Sequence, residues 1–245
     1  VERARPELLA QLDADRRSRR TVVVATELSS GRHRLIYPFE GTTGVDRDLA
    51  ATALVAASRD ESVAIESGGS EWFLRVQNPA LRFFIVGAVH IAQVLAPMAR
   101  LGGFDVTVVD PREAFATAAR FPGITLSHEW PQAALERAAL DHRSVVVALS
   151  HDPKLDDPAL LAALASPAFY VGALGSRKSA RARLTRLGAA GATDSQLSRI
   201  HGPVGLDIGA VTTSEIATSI LAGVVKAARQ YRIAAASPEA ERVTA

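Results

Sequence analysis

The hydrophobic pattern changes period several times along the chain, and each change marks an element. Phe83-Phe84-Ile85-Val86 is an apolar run of strand composition, stopped by Gly87. From His90 the spacing turns helical. Ile91, Val94, Leu95, Met98 and Leu101 recur at helical spacing until Gly102-Gly103 end the pattern. Residues 105–109 (DVTVV) then read as a second strand, closed by Asp110. Strand, glycine turn, helix, strand and terminal acid describe the first half of a mononucleotide-binding unit.

Upstream the pattern is mixed. Residues 7–19 have helix-forming composition, and residues 21–26 and 34–38 read as strands on either side of the Ser29-Ser30-Gly31 turn. Asp46 is placed to cap a helix running to Ser58, with Leu49, Ala53, Leu54 and Ala57 on one face. Residues 62–65 and 71–76 form a hairpin pattern about Gly68-Gly69. Asn78-Pro79 marks a boundary, because the residue before a proline is pushed out of the helical region.

Downstream, residues 124–127 read as a short strand and residues 131–140 as a helix. Residues 144–149 (SVVVAL) are continuously apolar, as a central parallel strand covered on both faces requires. A helix over 158–165, a strand over 168–171, a basic helix after Lys178 and a glycine-rich loop over 200–210 follow. A long amphipathic helix over 213–229 carries Ile216, Ile220, Leu221 and Val224 inward. The expected architecture is α/β. A Rossmann-like, mostly parallel sheet with helices on both faces spans residues 79–233, a small α+β module spans 1–78, and a disordered tail spans 234–245.

Composition narrows the chemistry. The 48% apolar and 22% charged residues are those of a soluble globule, and a net charge of +2 gives no nucleic-acid signal. No apolar stretch approaches the roughly 20 residues of a membrane span, and the expected setting is cytoplasmic. None of the 245 residues is cysteine, which removes disulfides, thiolate metal sites and cysteine nucleophiles from the chain.

In an open parallel sheet ligands bind beyond the carboxyl ends of the strands, where the strand order switches. Four clusters follow strand patterns: Gly87-Ala88-Val89-His90, Asp110-Pro111-Arg112, Ser150-His151-Asp152, and the stretch from Gly172 through Gly175, Ser176 and Arg177 to Lys178. The first turn departs from the dinucleotide fingerprint, since Val89 stands where a second glycine lets a pyrophosphate approach. Asp110 lies about twenty residues on, where the fingerprint wants a ribose-binding acid. Each cluster also has a structural reading: Asp110 as a turn cap, and Asp152 as a helix cap followed by Pro153 at the first helical position. Ser176, Arg177 and Lys178 place a hydroxyl and two cations at a helix start, which suits a phosphate. His201, Gly205 and Asp207 lie in a glycine-rich segment too poor in large apolar groups for core, which reads as a ligand clamp or docking surface. No His or acid spacing resembles a metal site.

Five ordered motifs carry a resemblance: GAVHIAQ (87–93), VTVVDPREAFAT (106–117), SHDPKLDD (150–157), YVGALGSRKS (170–179) and HGPVGLDIGA (201–210). Together they resemble the XdhC/CoxF family of accessory proteins for xanthine dehydrogenase and carbon monoxide dehydrogenase. The resemblance implies a chaperone that binds molybdenum cofactor as cargo, in its molybdopterin or cytosine dinucleotide form. It also implies support for sulfuration and for insertion into an apo-molybdoenzyme of the xanthine dehydrogenase family. A cysteine desulfurase and a second accessory protein are the further candidate partners, and a homo-oligomer is expected.

The cofactor-binding residues expected on this reading are Gly87, Val89, His90, Asp110, Arg112, His151, Asp152, Gly172, Gly175, Ser176, Arg177, Lys178, His201, Gly205 and Asp207. No catalytic residue is expected. Longer relatives carry an N-terminal motif of the GGGCLE type; here the region reads Phe39-Glu40-Gly41-Thr42-Thr43-Gly44-Val45, without the cysteine. Two alternatives stay open: an NAD(P)-linked oxidoreductase, which Val89 disfavours, and an adaptor that holds no small molecule.

Overall fold

The computed structural model describes residues 6–40 and 44–235, with side chains through Gln230. Gly41-Thr42-Thr43 and most of the expected tail lie outside the described residues. The chain divides into two units, the first ending at Pro79 and rejoined from Arg229, the second spanning Ala80–Ala228.

The first unit contains α1 (Pro6–Arg17), β1 (Val22–Glu27), β2 (His33–Ile36), α2 (Arg47–Arg59), β3 (Val63–Ser67) and β4 (Ser70–Gln77). The strands form an antiparallel sheet in the order β2-β1-β4-β3. Gly68 and Gly69, at φ 59° and 75°, make the two-residue turn of the β3–β4 hairpin, where both central residues need positive φ. Asp46 caps α2 through the amides of Asp48 and Leu49. Leu49, Ala53 and Ala57 of that helix pack on Val23, Ala25, Ile36 and Leu74 of the sheet.

The second unit contains β5 (Arg82–Val86), α3 (His90–Leu101), β6 (Asp105–Val109), β7 (Thr125–Ser127), α4 (Pro131–Arg137), β8 (Ser144–Ala148), α5 (Pro153–Leu164), β9 (Tyr170–Ala173), α6 (Arg177–Ala189), α7 (Asp194–Leu197), β10 (Ile200–His201) and the body of α8 (Thr213–Ala235). Its six strands are parallel, in the order β10-β9-β8-β5-β6-β7. The chain starts in the middle, builds outward through β6 and β7, then returns to build β8, β9 and β10 on the other side. The order switches between β5 and β8.

Alternation along the strands sorts the core into two layers. Phe83, Ile85, Val108, Val145 and Val147 face α3 and α8, meeting Ala92, Leu95, Ala217, Ile220 and Val224. Phe84, Val86, Val109, Val146 and Ala148 face the opposite layer of α4, α5 and α6, meeting Leu135, Ala159, Leu160, Ala163 and Leu187. Every residue of β8 is buried, as its continuous apolar run requires.

Several expectations need correction. α5 begins at Pro153, not at 158; Pro158 sits inside the helix, where the carbonyl it leaves unpaired belongs to solvent-exposed Lys154. The inward stripe of α3 is Ala92, Leu95, Ala96 and Ala99, with Ile91, Val94 and Met98 flanking it, while Leu101 is exposed. Small residues let the helix approach the sheet closely. The segment from residue 200 does not begin as a loop, since Ile200 and His201 pair in parallel with Val171 and Gly172. α8 continues through Ala235, so residues 234 and 235 are helical. Among the described residues no helix is long and apolar enough to cross a membrane.

Candidate functional site

The strand ends are level: Val86 is opposite both Val109 and Ala148, and Ala148 is opposite Ala173. The residues that follow, Gly87, Asp110, Leu149-Ser150 and Leu174-Gly175, therefore emerge along one edge of the sheet.

At the switch point two turns touch. Gly87 sits at φ 101°, and a β-carbon there would lie 2.8 Å from the Ser150 nitrogen and 2.9 Å from its Cα. The glycine lets the β5–α3 turn close against the β8–α5 turn. Val89 is the extended residue preceding α3, half-buried and packed against the core beneath the helix, and it supplies no side-chain cap. His90 follows it, exposed, as the first residue of α3.

Asp110 is fully buried. One of its oxygens accepts the Ala88 amide at 2.8 Å and Arg112 Nη2 at 2.7 Å; the other accepts the Arg112 amide at 3.0 Å and Nε at 2.8 Å. Burial alone would raise its pKa, but these bonds outweigh it and hold the carboxyl below its ordinary value. The position where a fingerprint acid meets ribose hydroxyls is thus filled from within the chain by a bidentate guanidinium. Arg112 also lies over the Phe115 ring, 4.6 Å from its centroid, and is influenced by the charges of Asp152 and Asp156.

A second buried carboxylate organises the β8 end. Asp156 Oδ1 accepts the Ser150 amide at 3.2 Å and hydroxyl at 2.6 Å, and Oδ2 accepts the His151 amide at 3.1 Å. Burial prevails over these bonds and raises its pKa. His151 is thereby fixed at φ 62°, a left-handed conformation uncommon outside glycine and asparagine, with its ring exposed. Asp152 caps α5 through the Lys154 amide at 3.0 Å, with Pro153 first in the helix.

At the β9 end, Gly175 has φ 146°, and the place of its missing β-carbon is taken by Ser179 Oγ. Ser176 caps α6 by accepting the Ser179 amide at 3.2 Å, while Ser176, Arg177 and Lys178 are exposed. Arg177 approaches Asp207 at 3.6 Å, which joins this turn to the glycine-rich segment. Below the turn lies Arg183, only 5% exposed; its Nη2 donates to Leu174 O at 3.0 Å and stands 3.7 Å from Asp156.

The remaining glycines serve chain packing. At Gly172 a β-carbon would meet Val204 Cγ2 at 2.5 Å, and at Gly205 (φ 96°) it would meet the Ser219 hydroxyl and, at 3.0 Å, the Ile220 nitrogen. These two positions let the 202–206 turn lie between β9 and α8. His201 stacks on Tyr170, with centroids 4.2 Å apart and planes 9° from parallel, and desolvation lowers its pKa.

The structure therefore brings Gly87, Ser150, His151 and Arg112 together at the switch point, and Gly175, Ser176, Arg177 and Asp207 together over β9. Asp110, Gly172 and Gly205 are engaged inside the fold. Asp156, Ser179 and Arg183 are the site residues that sequence reasoning missed. The legible signal for Arg183 was its place on the buried stripe of α6, between Ala180 and Leu187 at helical spacing. Among the described residues no three His, Asp or Glu side chains are grouped to hold a metal ion.

A family model, the XdhC Rossmann domain, matches residues 83–224, more than half the chain. The chain belongs to the XdhC family. Its relatives include YqeB of Escherichia coli K12, an uncharacterised protein 34% identical over 70% of this chain and 32% of its own length. PaoD of the same organism, a molybdenum cofactor insertion chaperone, is 29% identical over 74% of this chain and 50% of its own. A probable xanthine dehydrogenase subunit of Bacillus subtilis is 26% identical over 66% and 47%. The chain thus spans a third to a half of the length of these curated relatives. A crystal structure described as a xanthine dehydrogenase, from Bacillus halodurans, shares the fold, with TM-score 0.73 and 22% identity over 95% of this chain and 69% of that one.

Proposed function

We propose that this XdhC-family chain binds molybdenum cofactor at the carboxyl edge of its parallel sheet and supports delivery of the cofactor to an apo-molybdoenzyme of the xanthine dehydrogenase family. The observation that carries the reading is the asymmetry of the edge. Asp110, at the β6 end, is saturated by Arg112 and Ala88, which removes the acid that a nicotinamide nucleotide would use. The β9 end presents hydroxyls and cations at a helix start, which suits the phosphate of a pterin cofactor or the pyrophosphate of its cytosine dinucleotide. The kinship with PaoD, a molybdenum cofactor insertion chaperone, supports the same reading.

The chain's own part is to hold and orient. Backbone amides at the α3 and α6 starts face the anionic end of the cargo, and His151 and His201 stand along the rim at the β8 and β10 ends. Sulfuration would draw on a partner such as a cysteine desulfurase, because these 245 residues offer no thiol to carry a persulfide. A second accessory protein is the candidate source of the cysteine-bearing motif.

The test is reconstitution. Apo-enzyme of the xanthine dehydrogenase family is incubated with sulfurated cofactor, with and without this protein. Faster or more complete recovery of hydroxylase activity with the protein present is expected. Recovery that the protein leaves unchanged would refute the proposal.

A further inference from the structure

We infer that the β9–α6 turn is a seat for a phosphoryl group, with the buried guanidinium of Arg183 as its countercharge from below. The inference deepens the proposed cofactor role by naming the subsite and rests on that role only for the identity of the natural ligand.

Arg183 is 5% exposed, yet its Nε and Nη1 have no hydrogen-bond partner. Only Nη2 is engaged, by Leu174 O at 3.0 Å, and the nearby carboxylate of Asp156 stays beyond hydrogen-bond range at 3.7 Å. Asp156 is already committed to Ser150 and His151. A buried donor left unmade is destabilising, more so when it belongs to a charged group. Arginine can be satisfied in this unit: Arg199 places three bonds on the carbonyls of Leu164, Ser166 and Ala168. Arg82, also in this unit, leaves its buried Nε unpaired but bonds Ala138 O and Ala139 O through its two terminal nitrogens, whereas Arg183 leaves both Nε and a terminal nitrogen unmade.

The position of Nη1 identifies what it awaits. Nη1 lies 3.9 Å from the place of the missing β-carbon of Gly175, so the guanidinium points at the floor of the turn. Ser179, one helical turn before Arg183, puts its hydroxyl at the same spot, where it donates to Ser176 O at 2.9 Å and would turn to a bound anion by rotation about its Cβ–Oγ bond. Above are the Ser176 hydroxyl and the start of a 13-residue helix, where the backbone dipole favours an anion. Arg177 and Lys178 are exposed at the mouth, Arg177 facing Asp207 at 3.6 Å. Hydroxyls, helix amides and a planar guanidinium on one small volume match a tetrahedral oxyanion carrying more than one charge. A carboxylate would leave much of that donor set unused.

The experiment measures binding of inorganic pyrophosphate and of inorganic phosphate to the full chain by calorimetry and by ligand-induced shift of Tm, in wild type, Arg183→Met, Arg183→Lys and Lys178→Ala. Pyrophosphate is expected to bind and stabilise the wild type. Arg183→Met should lose at least about tenfold in affinity, since its charge-assisted bonds disappear. Its ligand-free Tm should stay close to the wild-type value, because removing two unpaired buried donors offsets the lost bond to Leu174 O and the lost charge beside Asp156. Arg183→Lys keeps the charge without the fork and should fall between; it is the variant to read if the methionine protein does not fold. Lys178→Ala, at the exposed mouth, should lose less than Arg183→Met.

A phosphate response matching that of pyrophosphate would assign the seat to a monoester, and a pyrophosphate response alone to a diphosphate. Unchanged affinity in both Arg183 variants, or no binding of either anion by wild type at about 10 mM, tenfold above the millimolar scale of weak binding, would overturn the inference. The cofactor role fails separately. Pyrophosphate binding that depends on Arg183 in a protein that never carries pterin would leave the seat standing alone. Equal pterin loading of wild type and Arg183→Met would remove the seat and keep the role.

Discussion

Replacing Gly87 with alanine tests the switch point most sharply. The new methyl group would sit 2.8 Å from the Ser150 nitrogen and 2.9 Å from its Cα and Cβ. Ser150 has little freedom to retreat, because Asp156 holds its amide at 3.2 Å and its hydroxyl at 2.6 Å. A φ of 101° adds backbone strain of about 1–2 kcal/mol for a residue with a β-carbon. Forcing a methyl into a packed contact adds about 1–3 kcal/mol, and the stiffer unfolded chain returns about 0.4–1 kcal/mol. The net expectation is a loss of about 2–4 kcal/mol, or roughly 5–15 °C in Tm for a unit of this size. Urea unfolding followed through Trp130, in a Trp72→Phe background, reads the second unit alone, since the chain has two tryptophans. Ser150→Gly should restore less than about 1 kcal/mol of the loss, because it removes the Cβ contact and leaves the two backbone contacts. A Gly87→Ala protein within about 0.5 kcal/mol of wild type would show that the two turns do not touch as described.

Other substitutions separate the two buried carboxylates and the strained histidine. Asp110→Asn should cost about 2–3 kcal/mol at neutral pH, less than a fully buried pair because Arg112 reaches water. The sign with pH follows from its lowered pKa. The wild-type advantage is complete above the ordinary aspartate value near 3.9 and fades as pH falls through the depressed folded value, so equal stabilities at pH 7 would refute it. Asp156→Ala should cost about 3–5 kcal/mol, since it frees three donors and leaves Arg183 without a neighbouring carboxylate; urea unfolding that gives under 1 kcal/mol would contradict the network. His151→Gly should be neutral or stabilising by up to ~1 kcal/mol, whereas His151→Val should destabilise by about 1–2 kcal/mol, because φ 62° suits glycine and excludes a β-branched residue. The reverse order in thermal melts would sink that reading.

The parallel sheet was legible because its signals are local and repeated. The run 83–86, Gly87 and the helical spacing from Ile91 each survive as β5, the close turn and α3. β8 was readable for a global reason, as a strand buried on both faces has no polar alternation to hide it. β10 was hidden because two residues carry too little pattern, and its pairing with β9 is set by the chain between them. Leu101 misled because an apolar residue at the right spacing can still fall past the end of the contact with the sheet. The strand-end clusters could be gathered from the sequence through one rule about parallel sheets, whereas their internal bonding could not. Whether Asp110 faces a ligand or Arg112 depends on a side chain two residues away folding back over it. Arg183 was one basic residue among several on α6, and its isolation from solvent is a property of the packed sheet edge.

The most direct test of the cofactor role is to purify the full chain from cells that make molybdenum cofactor and measure bound molybdenum and oxidised pterin on the same sample. Molybdenum and pterin in equal amounts are expected on the wild-type protein, falling together when Lys178 and Arg183 are both replaced by neutral residues. A well-folded protein that carries neither, from cells in which a molybdoenzyme is fully loaded, would contradict the role in holding the cofactor.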